Sequence, residues 1–217
     1  MKYAVYISGK SSRVHKFILK NMEKDLSDFK IVVSDDIIDK NLKCILEKKN
    51  ILYYELPYSS LKGTSSEKNL CLSDFIKSKL DENFIDYCFV FGKHILSGVI
   101  LEDYKNKIIN FHPAILPMYP GVRAIDQAIE DDKAFLIGNT AHFIDEGVDT
   151  GPIIMQSVIP MKAFFDQNRN YESILDLQIE MLEKIIKLLQ ENRITVANNK
   201  TRIDGANYKT SFLFPDV

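Results

Sequence analysis

A chain of 217 residues with 46% apolar and 27% charged residues can bury a sizeable core unaided, and its balance excludes disordered and fibrous classes. A formal net charge of −2 gives no general attraction to nucleic acid or to a membrane surface. Cys44, Cys71 and Cys88 are scattered and odd in number, which points to reduced thiols in a cytoplasmic setting rather than a disulfide framework or a metal site. No apolar run approaches the roughly 18 residues of a membrane span, and the opening MKYAVYISG reads as a strand rather than a secretory leader.

Lys2–Ser8 reads as a buried strand, followed by a small-residue turn, Ser8–Ser12, and a helix with Val14, Phe17, Ile18 and Met22 on one face. That helix start, with Lys10 and Arg13 beside it, is either a tight turn or an anion site. Phe29–Ser34 reads as a strand, Lys40–Lys49 as a helix, and Ile51–Leu56 as a strand closed by Pro57. Ser59–Asn69 reads as a loop, Leu70–Asn83 as a helix and Tyr87–Phe91 as a central strand. This alternation predicts an α/β, Rossmann-like fold with a mostly parallel sheet and helices on both faces. Gly92–Leu96 then lies at a strand's carboxyl end, where open α/β sheets place ligands. There His94 reads as a surface or partner-contacting side chain.

Further on, Ile108–Phe111 is a strand, Val122–Glu130 a helix, and Thr140–Ile144 and Ile153–Ile159 are strands around the loop Asp145–Pro152. Ser173–Gln190 carries the strongest helical periodicity. The chain is expected to be one domain, 1–217, whose extension Arg193–Val217 forms two weak strands around the turn Asp204-Gly205 and then no regular structure.

Ile108–Gln156 concentrates the residues that carry chemistry. Asn110 and His112 are two apart at a strand's end, so both point to one side. Pro113, Pro117 and Pro120 forbid regular structure after them, and Gly121 ends the segment. Asp149 lies in a loop between Gly147 and Gly151. Asn, His and Asp supply a donor, a titratable imidazole and a carboxylate, and His142 reads as a packed residue behind them.

NFHPAILPMYPG, HFIDEGVDTGPII and Gln156 resemble the folate-dependent formyltransferases, and VYISGKSSRV, FGKHILS and ITVANNKTRIDG extend the resemblance over nearly the whole chain. The resemblance implies the formyltransferase fold and transfer of a formyl group from 10-formyltetrahydrofolate to a primary amine of a small phosphorylated substrate, with no metal. It implies Asn110, His112 and Asp149 as catalytic residues. Folate would lie against Lys93, His94, Ile95, Leu96, Ile144, Asp145 and Glu146, and the amine substrate against Gly9, Lys10, Ser11, Ser12, Arg13 and Pro113. The partners implied are small molecules, without nucleic acid or membrane, and a homodimer is compatible with them. Members acting on phosphoribosylglycinamide in purine biosynthesis usually show a Gly-Asn-Gly-Ser-Asn-like loop where this chain has Gly9–Arg13, and a His after the Pro-Gly where it has Val122–Ile125. Both departures are on the amine side. They keep open an amino-sugar acceptor, as in the sugar N-formyltransferases. Deformylases that use water, and a folate-binding protein without activity, are lesser alternatives.

Overall fold

A computed structural model describes residues 1–9, 11–131, 133–162 and 171–209. Lys10, expected to bind substrate, and residues 210–217 of the tail lie outside the described residues. The strands β1 (Tyr3–Ile7), β2 (Phe29–Ser34), β3 (Leu52–Glu55), β4 (Tyr87–Phe91), β5 (Ile108–His112), β6 (Leu136–Phe143) and β7 (Ile153–Pro160) form one sheet in the order β3-β2-β1-β4-β5-β6-β7. Pairing is parallel from β3 to β5 and antiparallel between β6 and β7. The mostly parallel α/β sheet expected from the sequence is therefore present. The chain divides into two compact units, Met1–Asn110 with Phe143–Glu146, and Phe111–His142 with Gly147–Val217.

In the first unit every residue of β1 is buried, as expected of a parallel strand covered on both faces. Side chains alternate between those faces. Ala4, Tyr6, Cys88 and Val90 face Leu72, Ile76 and Leu80 of α3 (Ser65–Glu82) and Ile100 of α4 (Ile100–Asp103). Tyr3, Phe29 and Phe89 pack ring to ring on the other face, where Phe17 of α1 (Ser12–Lys20) meets Phe29 at 5.2 Å between centroids. Each such side chain, removed from water, contributes about 1.5–3 kcal/mol. The remaining helix is α2 (Lys40–Lys48), whose start is capped by Asp39 accepting from Asn41 and Leu42 N–H groups. Helix α3 begins at Ser65, inside the segment expected to be a loop. The cause is a capping box: Thr64 Oγ1 accepts the Glu67 N–H at 3.3 Å, and Glu67 Oε2 accepts the Thr64 N–H at 2.7 Å. A short 3₁₀ turn, Tyr58–Ser60, occupies the start of the same expected loop.

The second unit holds α5 (Ala124–Glu130), the β6–β7 hairpin, α6 (Tyr171–Gln190) and a separate hairpin of β8 (Ile194–Ala197) and β9 (Lys200–Ile203). Ala128, Ile137, Met161 and Ile174 form a shared core. Strand β6 begins four residues before the expected Thr140. Gly138 concealed that start, yet the glycine is required: a Cβ there would stand 1.9 Å from the Ser157 carbonyl oxygen. Gly138→Ala should lower unfolding stability by about 3 kcal/mol, because backbone and not a flexible side chain must yield; urea unfolding of both forms checks this. The tail hairpin turns at Asn198-Asn199 and not at Asp204-Gly205, because both asparagines adopt left-handed φ values of 51° and 57°, as a two-residue turn between twisted strands requires. Among the described residues no helix is long and apolar enough to cross a membrane.

Candidate active site

Strand β5 delivers Asn110 and His112 on one side, while Ile109 and Phe111 are buried on the other. His112 is buried, and the loop after it winds through left-handed φ at Tyr119 (54°), Gly121 (80°) and Arg123 (60°), with a cis bond at Leu116-Pro117. Side chains from β6 and β7 hold the loop from within. Thr140 Oγ1 donates to the Ala114 carbonyl at 2.7 Å and accepts from Leu116 N–H at 3.0 Å. Gln156 Nε2 donates to that same hydroxyl and to the Leu116 carbonyl, both at 2.9 Å. The hydroxyl is thereby saturated, with its one proton given and both lone pairs used.

Behind β5 a second set does similar work. Gln178 of α6, fully buried, donates to the Phe111 carbonyl at 3.2 Å and to Asn139 Oδ1 at 2.8 Å. Asn139 Nδ2 donates to Ser157 Oγ and the Ile174 carbonyl, both at 3.0 Å. Sequence reading assigned no role to Thr140, Asn139 or Gln178. The signal available was a polar residue at 178 within the apolar stripe of α6.

His112 meets an acceptor at each ring nitrogen. Nε2 lies 2.8 Å from the Tyr119 carbonyl, and a carbonyl oxygen can only accept, so Nε2 carries a proton. Nδ1 lies 3.3 Å from Asp149 Oδ2, so a further proton on the ring is one that Asp149 can take or return. Asp149, itself at φ 54°, accepts the Gly121 N–H on Oδ2 at 2.7 Å. Its Oδ1 lies 3.5 Å from Nε2 of His142, which is buried in β6. One carboxylate thus stands between two imidazoles and takes a backbone N–H. Pro113, expected to contact substrate, is half-buried directly after His112.

Burial pushes the Asp149 carboxyl upward, but the hydrogen bond from His142, the Gly121 N–H and the charges of both histidines outweigh it, and the net shift is downward. A carboxyl lowered on folding stabilises the fold above its unfolded value, about 3.9, and that contribution is lost as pH falls through the lower folded value. The stability gap between the native protein and Asp149→Asn should therefore narrow as pH is taken from 5 downward past that window. Urea midpoints across a pH series measure it.

The other expected site residues belong to the first unit. Gly9 has φ 59° and open space where a Cβ would stand. Ser11, left-handed at φ 38°, precedes α1, and its hydroxyl is buried without a hydrogen-bond partner among the described residues; Ser12 is the first residue of that helix. Arg13 donates to the Phe91 carbonyl at 3.1 Å and lies over the Phe91 ring at 5.1 Å, and burial lowers its guanidinium to about 10. Lys93 and Ile95 are exposed, and Leu96 is buried. His94 is not a free surface side chain: its ring stacks on Tyr58 at 3.5 Å and 11°. Ile144 N–H donates to the Ile108 carbonyl at 2.9 Å; Asp145 is half-buried and Glu146 exposed.

A family model described as formyl transferase matches residues 1–186. The formyltetrahydrofolate deformylase of Haemophilus influenzae is 31% identical over 163 residues, which are 74% of this chain and 56% of the relative. The chain therefore spans little more than half that relative's length. The phosphoribosylglycinamide formyltransferase of Bacillus subtilis is 28% identical over 183 residues, 84% of this chain and 88% of the relative. The solved glycinamide ribonucleotide transformylase 1 from Symbiobacterium toebii shares the fold, with a TM-score of 0.78 at 24% identity over 94% of this chain and 93% of that one. With this fold, and a model match that takes in Asn110, His112 and Asp149, the chain belongs to the formyl transferase family.

Proposed function

We propose that this chain moves a formyl group from 10-formyltetrahydrofolate to the primary amine of a small phosphorylated substrate; its Bacillus subtilis relative is named a phosphoribosylglycinamide formyltransferase. The observation that carries this reading is the carboxylate of Asp149 held against His112 Nδ1 by the Gly121 N–H. Attack of an amine on a formyl carbon makes a tetrahedral oxyanion and an ammonium. The first needs donors where charge develops, and the second must lose a proton. Asn110 and His112 supply the donors. The His112 Nε2–H is hydrogen-bonded to the neutral Tyr119 carbonyl, and a developing oxyanion, being charged, is the stronger acceptor and takes over that hydrogen bond while the proton stays on Nε2. Asp149 accepts the ammonium proton and returns it towards the departing folate nitrogen. No covalent enzyme intermediate is needed.

In this reading the loop Gly9–Arg13 and Pro113 receive the amine substrate. Lys93–Leu96 and Ile144–Glu146 receive the folate, with no metal. A nucleotide-linked amino sugar is a second acceptor, kept in view because Gly9–Arg13 is not the Gly-Asn-Gly-Ser-Asn-like loop of the ribonucleotide enzymes. Purified protein with 10-formyltetrahydrofolate is offered glycinamide ribonucleotide, a panel of nucleotide-linked 3-amino and 4-amino sugars, or buffer alone. Tetrahydrofolate formed only with the ribonucleotide supports the first acceptor, and formed only with a sugar it supports the second. Equal formation in buffer alone would reassign the protein to formyl hydrolysis.

A further inference from the structure

The loops after β1 and β4 meet the buried carboxylate of Asp35, in the loop after β2, which has no part in the chemistry above, and the loop after β3 meets the same residue's backbone. Asp35 follows β2 and its side chain is 1% exposed. A buried carboxylate is costly unless several donors converge on it. Here they do: Tyr6 donates its hydroxyl to Asp35 Oδ2 at 2.7 Å, Ser8 Oγ donates to the same oxygen, and His94 Nε2 stands 3.7 Å away. Because the Ser8 proton is spent on Asp35, the Ser8 lone pairs remain, and one accepts the Lys93 N–H at 2.9 Å. The Tyr58 N–H donates to the Asp35 carbonyl at 2.7 Å, and the Tyr58 ring carries the stacked imidazole of His94. Gly92 belongs to the arrangement, since a Cβ there would stand 2.2 Å from the Tyr6 ring.

We propose that Asp35 is a positioning residue for formyl transfer: through Ser8 and His94 it holds the loop after β1, on the amine side, and the loop after β4, on the folate side, in one fixed arrangement. This role rests on the formyl-transfer reading above. It requires none of the reacting atoms. The carboxylate acts on substrates only through loops that it keeps in place, so its loss weakens binding of both substrates more than it slows their chemistry.

The test is Asp35→Asn, which keeps shape and removes charge. KM for both the folate and the amine should rise about tenfold, the worth of one charged hydrogen bond, while kcat falls less than about threefold. Unchanged KM for either substrate in a folded variant overturns the role. A readout independent of turnover is nuclear magnetic resonance of the Lys93 amide and the His94 ring. Burial holds His94 below its ordinary value, with Asp35 raising it and Lys93 lowering it, while Tyr58, with Lys68 5.6 Å from its ring centroid, covers one side. In Asp35→Asn the His94 titration should move further down and the Lys93 amide should shift. If either signal stays in place, the proposal is overturned. Should the native protein turn over no acceptor, the functional reading fails and these two signals still decide whether Asp35 ties the loops. If Asp35→Asn does not fold, Ser8→Ala leaves the Tyr6–Asp35 pair intact and is read in the same way at the Lys93 amide and in KM.

Discussion

Replacing Asp149 with Asn should lower kcat about a thousandfold while KM for both substrates moves less than about threefold. Asparagine keeps the size of the side chain and can still accept the Gly121 N–H that Asp149 Oδ2 accepts at 2.7 Å, so the loop 113–121 loses little of its support. What it loses is a group able to hold a proton. The carboxylate is lowered despite burial, which means the native site keeps it ionised and ready to accept. An amide has no such state, and the ammonium formed by attack then has only water to deprotonate it. Steady-state kinetics on a variant shown to fold by circular dichroism measures the effect. A kcat within tenfold of the native value removes Asp149 from the mechanism.

His112→Ala should lower kcat by about 10³ as well, since in the proposed mechanism it removes an oxyanion donor from a buried site. It also costs stability of about 1–3 kcal/mol, because the Tyr119 carbonyl and Asp149 each lose a partner in a buried environment. The two effects separate by measuring urea unfolding and kcat on the same preparation. His112 and Asp149 face one another at 3.3 Å, so they act as a unit, and Asp149→Asn added to His112→Ala should cost much less than a second thousandfold. Full additivity would mean that the two side chains act independently.

The alternation of strands and helices was legible because β1 and β4, at the middle of the first unit's sheet, are short apolar runs bounded by turns, and parallel strands buried on both faces leave that mark. The site was legible for a related reason. Asn110 and His112 interrupt an apolar strand end, where burial of polar groups has a cost that packing does not repay. Other features escaped. The capping box at Thr64 and Glu67 was present in the sequence but lay in a polar stretch without apolar periodicity. The strand start before Thr140 was missed, and the glycine within it, Gly138, is selected by the close approach of the Ser157 carbonyl. Asn198-Asn199 formed the turn in place of Asp204-Gly205 because left-handed backbone is open to asparagine.

Thr140, Gln156 and Gln178 were hardest to read. Their partners are 24, 40 and 67 residues away, and no local pattern announces a hydrogen bond over such a separation. His142 was placed as a packed residue supporting the trio from behind, but its particular contact with Asp149 Oδ1 exists only once β6 and the loop after it are folded. Asp35 offers the same lesson in the first unit: sequence reading assigned it no role, yet it is buried and accepts from Tyr6 and Ser8.

The measurement that bears most directly on formyl transfer follows the formyl carbon itself. The native protein is given 10-formyltetrahydrofolate labelled with carbon-13 at the formyl group, together with the best acceptor of the panel, and the products are read by nuclear magnetic resonance. Transfer places the label in a formamide on the acceptor, matched one for one by tetrahydrofolate, and Asp149→Asn abolishes both. Label released as free formate at the same rate with or without amine, or left on the folate, would contradict it.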